Sequence, residues 1–281
     1  MKASSAAFSV STMARVLQVS RSGYHAWMLR LGGPEKDARL KVEIEALFNM
    51  SRQTYGYRRI AKALRDKGET INEKKVRRLM EERNLRPKAA RKFKATTQSK
   101  HSHPVAENHL ARDFRAEAPN RKWTQDITYI WTKEGWLYLA VVIDLYSRMV
   151  VGWAMAERMG QELVLDALTM AIWRRKKPHG LMVHSDRGSQ YCAKDFQALL
   201  ARFAMVCSMS RKAECWDNAT TESFFHSLKV EWIYGEKVFE TRREAIEKIF
   251  EYIECWYNTQ RLHSSNGHVS PAEFEKRAAC A

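Results

Sequence analysis

The change of hydrophobic pattern at residue 121 most constrains how this chain can fold. From there the sequence predicts three strands in a meander, in the segments WTQDITYIW and WLYLAVVIDLYSRMVVGWAM, with a tight turn near Asp144–Ser147. A helix (QELVLDALTMAIWRRKK) and a short apolar strand (LMVHSD) follow, then a helix, a strand (AMVCSMS) and C-terminal helices. This order predicts an α/β fold with a mixed five-stranded sheet flanked by helices.

The region before residue 87 predicts only helices. One candidate hairpin lies in STMARVLQVSRSGYHAWMLR. A second lies in YGYRRIAKALRDKGETINEKKVRRLMEERNL, where Gly68 ends one helix and Asn72 caps the next. A short turn and a basic second helix are typical of a helix-turn-helix, although an ordinary hairpin with a solvated charged face has the same pattern. The candidate DNA-contacting residues here are Arg58, Arg59, Lys74, Lys75, Arg77 and Arg78.

Charge is unevenly divided along the 281 residues. Residues 1–120 carry 26 basic and 12 acidic side chains, whereas residues 121–281 carry 22 and 20. Such asymmetry favours a DNA-binding arm on a catalytic core, because basic groups bind phosphate backbones through counterion release. We therefore predict a helical DNA-binding region at 1–86, a basic linker at 87–120 and a catalytic core at 121–281. A solvated basic face and an anionic membrane surface are the weaker alternatives.

Cysteine usage and the N-terminus bear on the compartment. The five cysteines are scattered and include no C-x-x-C pair, which argues against a disulfide framework or a zinc knuckle. No apolar run approaches the roughly 20 residues of a spanning helix, and no signal peptide is apparent. These features predict a cytoplasmic protein with access to chromosomal DNA and no membrane partner.

Three acidic residues stand where catalytic groups are expected. Asp126 lies inside a strand pattern, where an acid is unfavourable, and Asp186 directly follows a short apolar strand. Glu222 lies in a helical run with Asn218 four residues before it and Lys229 seven after it. Each acid alone has an ordinary explanation, as a turn cap or a solvated helix face. Together, beside a basic half, they predict a metal site.

The predicted metal is magnesium. Two Asp and one Glu supply enough hard oxygen ligands for two Mg²⁺ ions about 4 Å apart, which activate the attacking oxygen and stabilise the leaving one at phosphorus. Mn²⁺ is expected to substitute. The three carboxylates suffice because Mg²⁺ keeps water ligands and takes oxygens from the substrate phosphate.

The spacing and several motifs resemble a known family. Thirty-five residues separate Asp186 from Glu222, which is the D-D-35-E spacing of retroviral integrases and related bacterial transposases. The segments that carry the likeness are WTQDITYI, DLYSRMVVGWAM, HSDRGSQY, SMSRKAECWDNATTESFFHSLKVE, YNTQRLHSSNGHVSPAEFE, YGYRRI and VRRLMEERNL. They resemble the second-reading-frame (OrfB) transposases of a large bacterial insertion-sequence family, over nearly the whole chain.

The resemblance implies a ribonuclease H-like fold, with Asp126, Asp186 and Glu222 as catalytic metal ligands. Lys229 matches the basic residue of the family that contacts terminal DNA, and Asn218 is a further candidate contact. The implied activity is metal-dependent cleavage at element ends and 3′-OH strand transfer through a circular intermediate. The implied partners are element and target DNA, further copies in a synaptic complex, and an upstream-frame helix-turn-helix protein, all at the bacterial nucleoid.

Two other hypotheses remain open on the sequence. The chain could be a DNA-binding regulator whose acids no longer work, or a plain metal-dependent nuclease on the same fold. Joined products from a 3′-OH donor end and a target duplex indicate a transposase, whereas cut products alone indicate a nuclease.

Overall fold

A five-stranded mixed sheet forms the centre of the computed structural model, which describes residues 1–31, 37–88, 105–211, 214–233 and 238–280. The strands are β1 (Lys122–Thr132), β2 (Gly135–Asp144), β3 (Val150–Ala156), β4 (Met182–Ser185) and β5 (Val206–Met209). Their order is β3-β2-β1-β4-β5, with β1 to β3 antiparallel and β4 and β5 parallel to β1. The predicted fold class is confirmed, with all five strands in the predicted segments.

Helices cover both faces of the sheet, because successive side chains along a strand point to opposite faces and both sets are apolar. In β2, Leu139 and Val141 point to one apolar cluster, whereas Ala140 and Val142 point to the other. The second cluster is closed by α6 (Gln161–Arg174) and α7 (Lys194–Arg202). Gly152 lets β3 approach α6 closely, since a Cβ there would lie 2.2 Å from the carbonyl oxygen of Ala167.

The opposite face carries the helices that complete the site. They are α8 (Ala219–Leu228), continued by a π-helical turn at Lys229–Ile233, and α9 (Arg242–Phe250), continued by a π-helical segment at Glu251–Tyr257. The final helix, α10 (Pro271–Ala279), is capped by Ser270, whose hydroxyl accepts from the backbone N–H of Glu273. We did not predict α10, although a Ser followed by Pro at the first helical position is a strong start signal.

The N-terminal region is helical, as predicted. It contains α1 (Val10–Val16), α2 (Arg21–Leu31), α3 (Ala38–Met50), α4 (Tyr57–Asp66) and α5 (Glu73–Glu82). Gly68 adopts φ +92° after α4, and the side chain of Asn72 accepts from the N–H of Lys74 at the start of α5. Helix α3 was not predicted; its buried Ile44, Leu47 and Phe48 join the same apolar cluster as α4, α5 and the sheet.

The predicted linker is only partly described, because residues 89–104 lie outside the described ranges. The segment that follows, 105–120, packs against the sheet: Leu110 is 1% exposed, and its N–H donates to the hydroxyl of Ser208 in β5. Within the described residues, no helix is both long enough and apolar enough to cross a membrane.

Candidate active site

Asp126 and Asp186 are brought together by the parallel pairing of β1 with β4. The ladder ends with Thr124 paired to His184, two residues before Asp126 and two before Asp186. After burial, the charge of Asp186 is the largest cause that raises the pKa of Asp126, so the two carboxylates lie close to each other. Since neighbouring strands lie about 4.8 Å apart, the two acids share the region at the carboxyl end of β4.

Local hydrogen bonds orient each of these carboxylates. Asp186 Oδ1 accepts from the N–H of Gly188 at 2.9 Å, an Asx turn that begins as β4 ends. A Cβ at Gly188 would lie 3.0 Å from that same oxygen, so glycine leaves it room. Asp126 Oδ1 accepts from the N–H of Ile127 at 2.8 Å. Both side chains are half-buried.

A buried hydroxyl–amide cluster attaches the Glu222 helix to β1. Asn218 Oδ1 accepts from Thr124 Oγ1 at 2.5 Å and from Thr221 Oγ1 at 2.9 Å. The Asn218 amide nitrogen donates to the carbonyl oxygen of Gln125 at 3.3 Å. Because Asn218 and Thr221 immediately precede Glu222, these bonds fix the start of α8 against the strand that carries Asp126.

The three acids share one electrostatic environment. Burial raises the pKa of Asp126 well above its usual value, and the charges of Asp186 and Glu222 raise it further. Among the described residues, however, no three acidic, histidine or cysteine side chains converge tightly enough to form a complete metal site. Glu222 is exposed at the surface of α8, so the acids share one site without forming a closed ligand shell.

Two further side chains adjoin the acids. Lys229 is half-buried, which lowers its pKa, while the charge of Asp126 acts in the opposite direction. Its ammonium lies 5.2 Å from the ring centroid of Tyr129. Tyr191 is 1% exposed, its hydroxyl has no hydrogen-bond partner within the described part of the chain, and burial followed by Asp126 and Asp186 raises its pKa. Sequence reasoning missed Tyr191, since an aromatic after a turn is usually core.

Asp217 anchors the loop before α8. Its fully buried carboxylate accepts from Arg112 Nε at 2.7 Å, Asn108 Nδ2 at 2.9 Å and Arg211 Nη2 at 3.0 Å. These bonds, with that to Arg211 first, hold the pKa of Asp217 far below its usual value. Through these bonds Asp217 joins the segment before β1 to the start of α8. Nothing in the sequence pattern predicts this role.

A buried ion pair supports the far end of α8. Glu231 accepts from Arg261 Nε at 2.7 Å and Nη2 at 2.6 Å, and Arg59 Nη1 of α4 lies 3.9 Å from Glu231 Oε1. The backbone N–H of Leu262 donates to the hydroxyl of Tyr55 at 2.9 Å. The N-terminal helices are thus joined to the π-helical turn that continues α8.

His263 lies beside this ion pair and should make the folded chain less stable in acid. Burial, then repulsion from Arg261 and Arg59, lowers its pKa to about 2. The unfolded chain binds this proton below about pH 6.5 and the folded chain does not, so acid favours unfolding. We expect His263→Gln to remove about 2 kcal/mol of the fall in unfolding free energy between pH 7 and 5. Urea titrations at both pH values measure this, and identical falls for both proteins would contradict it.

The predicted DNA-contacting residues differ in exposure. Arg58 and Lys74 are exposed. Arg77 is exposed and pairs with Glu81, whereas Lys75 and Arg78 pair with Asp37. Two of the predicted DNA-contacting residues make contacts within the protein. Arg59 turns towards Glu231 and the ring of Tyr55, and Asn218 is 4% exposed within its hydroxyl cluster.

Comparison with family models matches most of the described architecture. An integrase core domain model matches residues 116–215, and a second integrase core domain model matches residues 222–278. A helix-turn-helix-like domain model matches residues 34–93. That match covers α3, α4 and α5, so the first predicted hairpin, α1 with α2, lies before it.

Similar proteins come from bacterial insertion sequences. The transposase InsF of insertion sequence IS3A from Escherichia coli K12 is 48% identical over 276 residues, covering 97% of this chain and 96% of that protein. The uncharacterized 31 kDa protein of insertion element IS600 from Shigella sonnei is 46% identical, covering 94% and 98%. Among solved structures, a chain of the simian T-cell lymphotropic virus intasome is 14% identical with a TM-score of 0.49, covering 83% of this chain and 74% of that one.

Proposed function

Because this chain belongs to the IS3-type insertion-sequence transposases, we propose that it cleaves element ends and transfers their 3′-OH strands by metal-dependent phosphoryl transfer. Asp126, Asp186 and Glu222 are the proposed catalytic metal ligands. The observation that supports this assignment is the parallel pairing of β1 with β4, which ends two residues before Asp126 and Asp186, together with the bonds from Asn218 to the β1 strand.

The residues present fit divalent ions. Burial, and then the charges of Asp186 and Glu222, raise the pKa of Asp126, and a dication bound between these carboxylates relieves their repulsion. Magnesium completes its shell with water and substrate phosphate oxygens, so a loosely assembled carboxylate set suits it better than a closed cage. The buried Tyr191 hydroxyl, which lacks a partner among the described residues, can donate to one of these oxygens. We propose two Mg²⁺ ions, with Mn²⁺ as a substitute.

The chain's own groups divide the work of the reaction. When bound, the metal ions activate the attacking oxygen and stabilise the leaving one. In the first reaction water attacks phosphorus and releases a 3′-OH; in the second that hydroxyl attacks a target phosphodiester, forming one P–O bond as another breaks. Asp126 and Asp186 are held rigidly by the sheet, whereas Glu222 depends on the attachment of α8. Lys229, beside Asp126, is proposed to contact the terminal phosphates.

The helix-turn-helix-like domain is proposed to bind the element end. Arg58 and Lys74 are exposed and suited to phosphate contacts, with Lys75, Arg77 and Arg78 joining them if their surface ion pairs exchange for DNA, since such pairs are weak. Two ends must be joined, so we propose a homo-oligomeric synaptic complex at the bacterial nucleoid in the cytoplasm. An upstream-frame helix-turn-helix partner is part of the same proposal.

A strand-transfer assay tests the proposed function. The full chain is incubated with a labelled cognate end bearing a 3′-OH and with a target duplex, in Mg²⁺ or in EDTA, with and without the upstream partner. Joined products are expected in Mg²⁺ and not in EDTA. Cut products without joining would instead indicate a nuclease, and DNA binding without any cleavage would indicate a regulator.

A further inference from the structure

A cavity lies along α8, on a side of the helix away from Glu222. Its volume is about 390 Å³, and it opens between α8, the turn after β2 and the C-terminal segment 257–265. Thr220, Ser223 and Ser227 line it from α8. Their spacing of three and four residues places them on one helix face, whereas Glu222 and Lys229 share another.

The lining of this cavity is positively charged. Arg59, Arg148 and Arg261 contribute guanidinium groups, and none of the described residues that line the cavity is acidic. Glu231 lies behind the lining, where it pairs with Arg261 and approaches Arg59. One carboxylate against three guanidinium groups leaves a net positive charge, and His263 adds none because its pKa is lowered to about 2.

Arg148 is held in the cavity by neutral partners. Its Nη1 donates to Thr220 Oγ1 at 2.8 Å and its Nη2 donates to the carbonyl oxygen of Phe114 at 3.1 Å. Arg148 also adopts φ +64°, a left-handed conformation that costs a non-glycine residue about 1–2 kcal/mol. The turn therefore keeps this half-buried guanidinium in place at an energetic cost, with donors left over for a ligand.

These observations point to an anion with several acceptor oxygens. Arginine forks match phosphate geometry, and the hydroxyls of Thr220, Ser223 and Ser227 can donate to the remaining oxygens. Ala219 and Thr220 lie in the first turn of α8 and also line the cavity, so the positive end of the helix dipole adds to the attraction. The cavity volume suits a phosphate with part of its nucleotide.

We propose that this pocket, defined by Arg59, Arg148, Arg261, Thr220, Ser223 and Ser227, binds a phosphodiester of the DNA strand that reacts at the Asp126–Asp186–Glu222 site. The inference rests on the proposed function. The pocket lies on the side of α8 away from Glu222, so the bound phosphodiester is not the one that reacts. Because Arg59 belongs to α4, the helix-turn-helix-like domain helps to form the pocket.

Ser223→Glu tests the pocket with little risk to the fold, because Ser223 is exposed. We measure Kd of the full chain for a cognate-end duplex in EDTA, over a range of salt concentrations. Loss of one phosphate contact is expected to weaken binding about tenfold and to lower the slope of log Kd against log salt by about one. Arg148→Gln, which keeps donors for Thr220 and Phe114, is expected to change the slope similarly.

The matched control is Ala198→Glu. It makes the same charge change at an exposed position of α7, on the opposite face of the sheet, and is expected to leave the slope unchanged. Unchanged binding by both pocket variants would overturn the proposal, as would an equal loss in the control. Inorganic phosphate that binds the full chain but leaves its affinity for DNA unchanged at matched ionic strength would assign the pocket to the free ion and overturn the proposal too.

Failure of this pocket is distinguishable from failure of the proposed function. Binding is measured in EDTA and needs no catalysis, whereas the proposed function is tested by wild-type joining in Mg²⁺. Wild-type joining together with unchanged DNA binding by both pocket variants would overturn the pocket alone.

Discussion

Asp186→Asn is expected to lower DNA cleavage and strand transfer at least about a thousandfold, the loss expected when metal stabilisation of the transition state is removed. The amide keeps the size of the side chain, and its oxygen can still accept from the N–H of Gly188. The fold and the Asx turn should therefore survive. What is lost is one of three negative charges in the site, and with it the affinity for divalent ions.

Gel shift and cleavage assays on the same preparation separate the two effects. DNA binding in EDTA is expected to stay within about twofold of wild type, because the helices that carry the basic residues are untouched. Asp166→Asn on α6 is the control, since that carboxylate is exposed and distant from the site. Cleavage by Asp186→Asn at the wild-type rate would exclude the triad.

Asp217→Ala is expected to destabilise the folded chain by about 3 kcal/mol, because the buried carboxylate joins three separate donors. For a protein of this size the melting temperature should fall by roughly 6–12 °C. Arg112 and Arg211 are 42% and 54% exposed, so water compensates them in part. That keeps the loss at the lower end of the range for broken buried pairs.

A functional effect is expected below the melting transition. Without Asp217, the loop before Asn218 loses its anchor and Glu222 is held less firmly against β1, so cleavage should fall more than DNA binding. Asp113→Ala is the matched control in the same segment before β1. Asp113 is exposed and forms a surface ion pair with Lys122, so its loss should leave the melting temperature almost unchanged. Equal melting temperatures for the two variants would contradict this role of Asp217.

The sheet was predictable from the sequence because its strands have either alternating or continuous apolar residues. In β2 the alternation of Leu139 and Val141 with Ala140 and Val142 is a local property of the chain. The helix limits at Gly68 and Asn72 were predictable for the same reason. Helix α3 was not predicted, although Ile44, Leu47 and Phe48 have helical spacing. It lies before the segment YGYRRI, where the predicted second hairpin begins.

The arrangement of the site was less accessible. The resemblance to integrases predicts Asp126, Asp186 and Glu222 as the site, but the closeness of the first two follows from the parallel pairing of β1 with β4. Strand order is a tertiary property, so neither acid contains this information locally. The same limit applies to Asn218, a candidate DNA contact from the sequence, whose buried bonds with Thr124 and Thr221 depend on tertiary packing.

The roles of buried polar residues could not be predicted from the sequence. Asp217 and Arg148 have ordinary loop neighbours in sequence, and their importance depends on partners more than 30 residues away. Tyr191 is similar: its hydroxyl is notable only because Asp126 and Asp186 adjoin it in space. Polar satisfaction inside a fold is determined by packing, which sequence pattern alone does not specify.

Counting bound Mn²⁺ tests the metal-binding claim most directly. The electron paramagnetic resonance signal of free Mn²⁺ is followed as the ion is titrated into the full chain with a duplex whose 3′ end is unreactive. The wild-type protein should bind about two more ions per chain than a variant combining Asp126→Asn, Asp186→Asn and Glu222→Gln. Equal numbers of bound ions in the two proteins would show that these three carboxylates do not form the metal site.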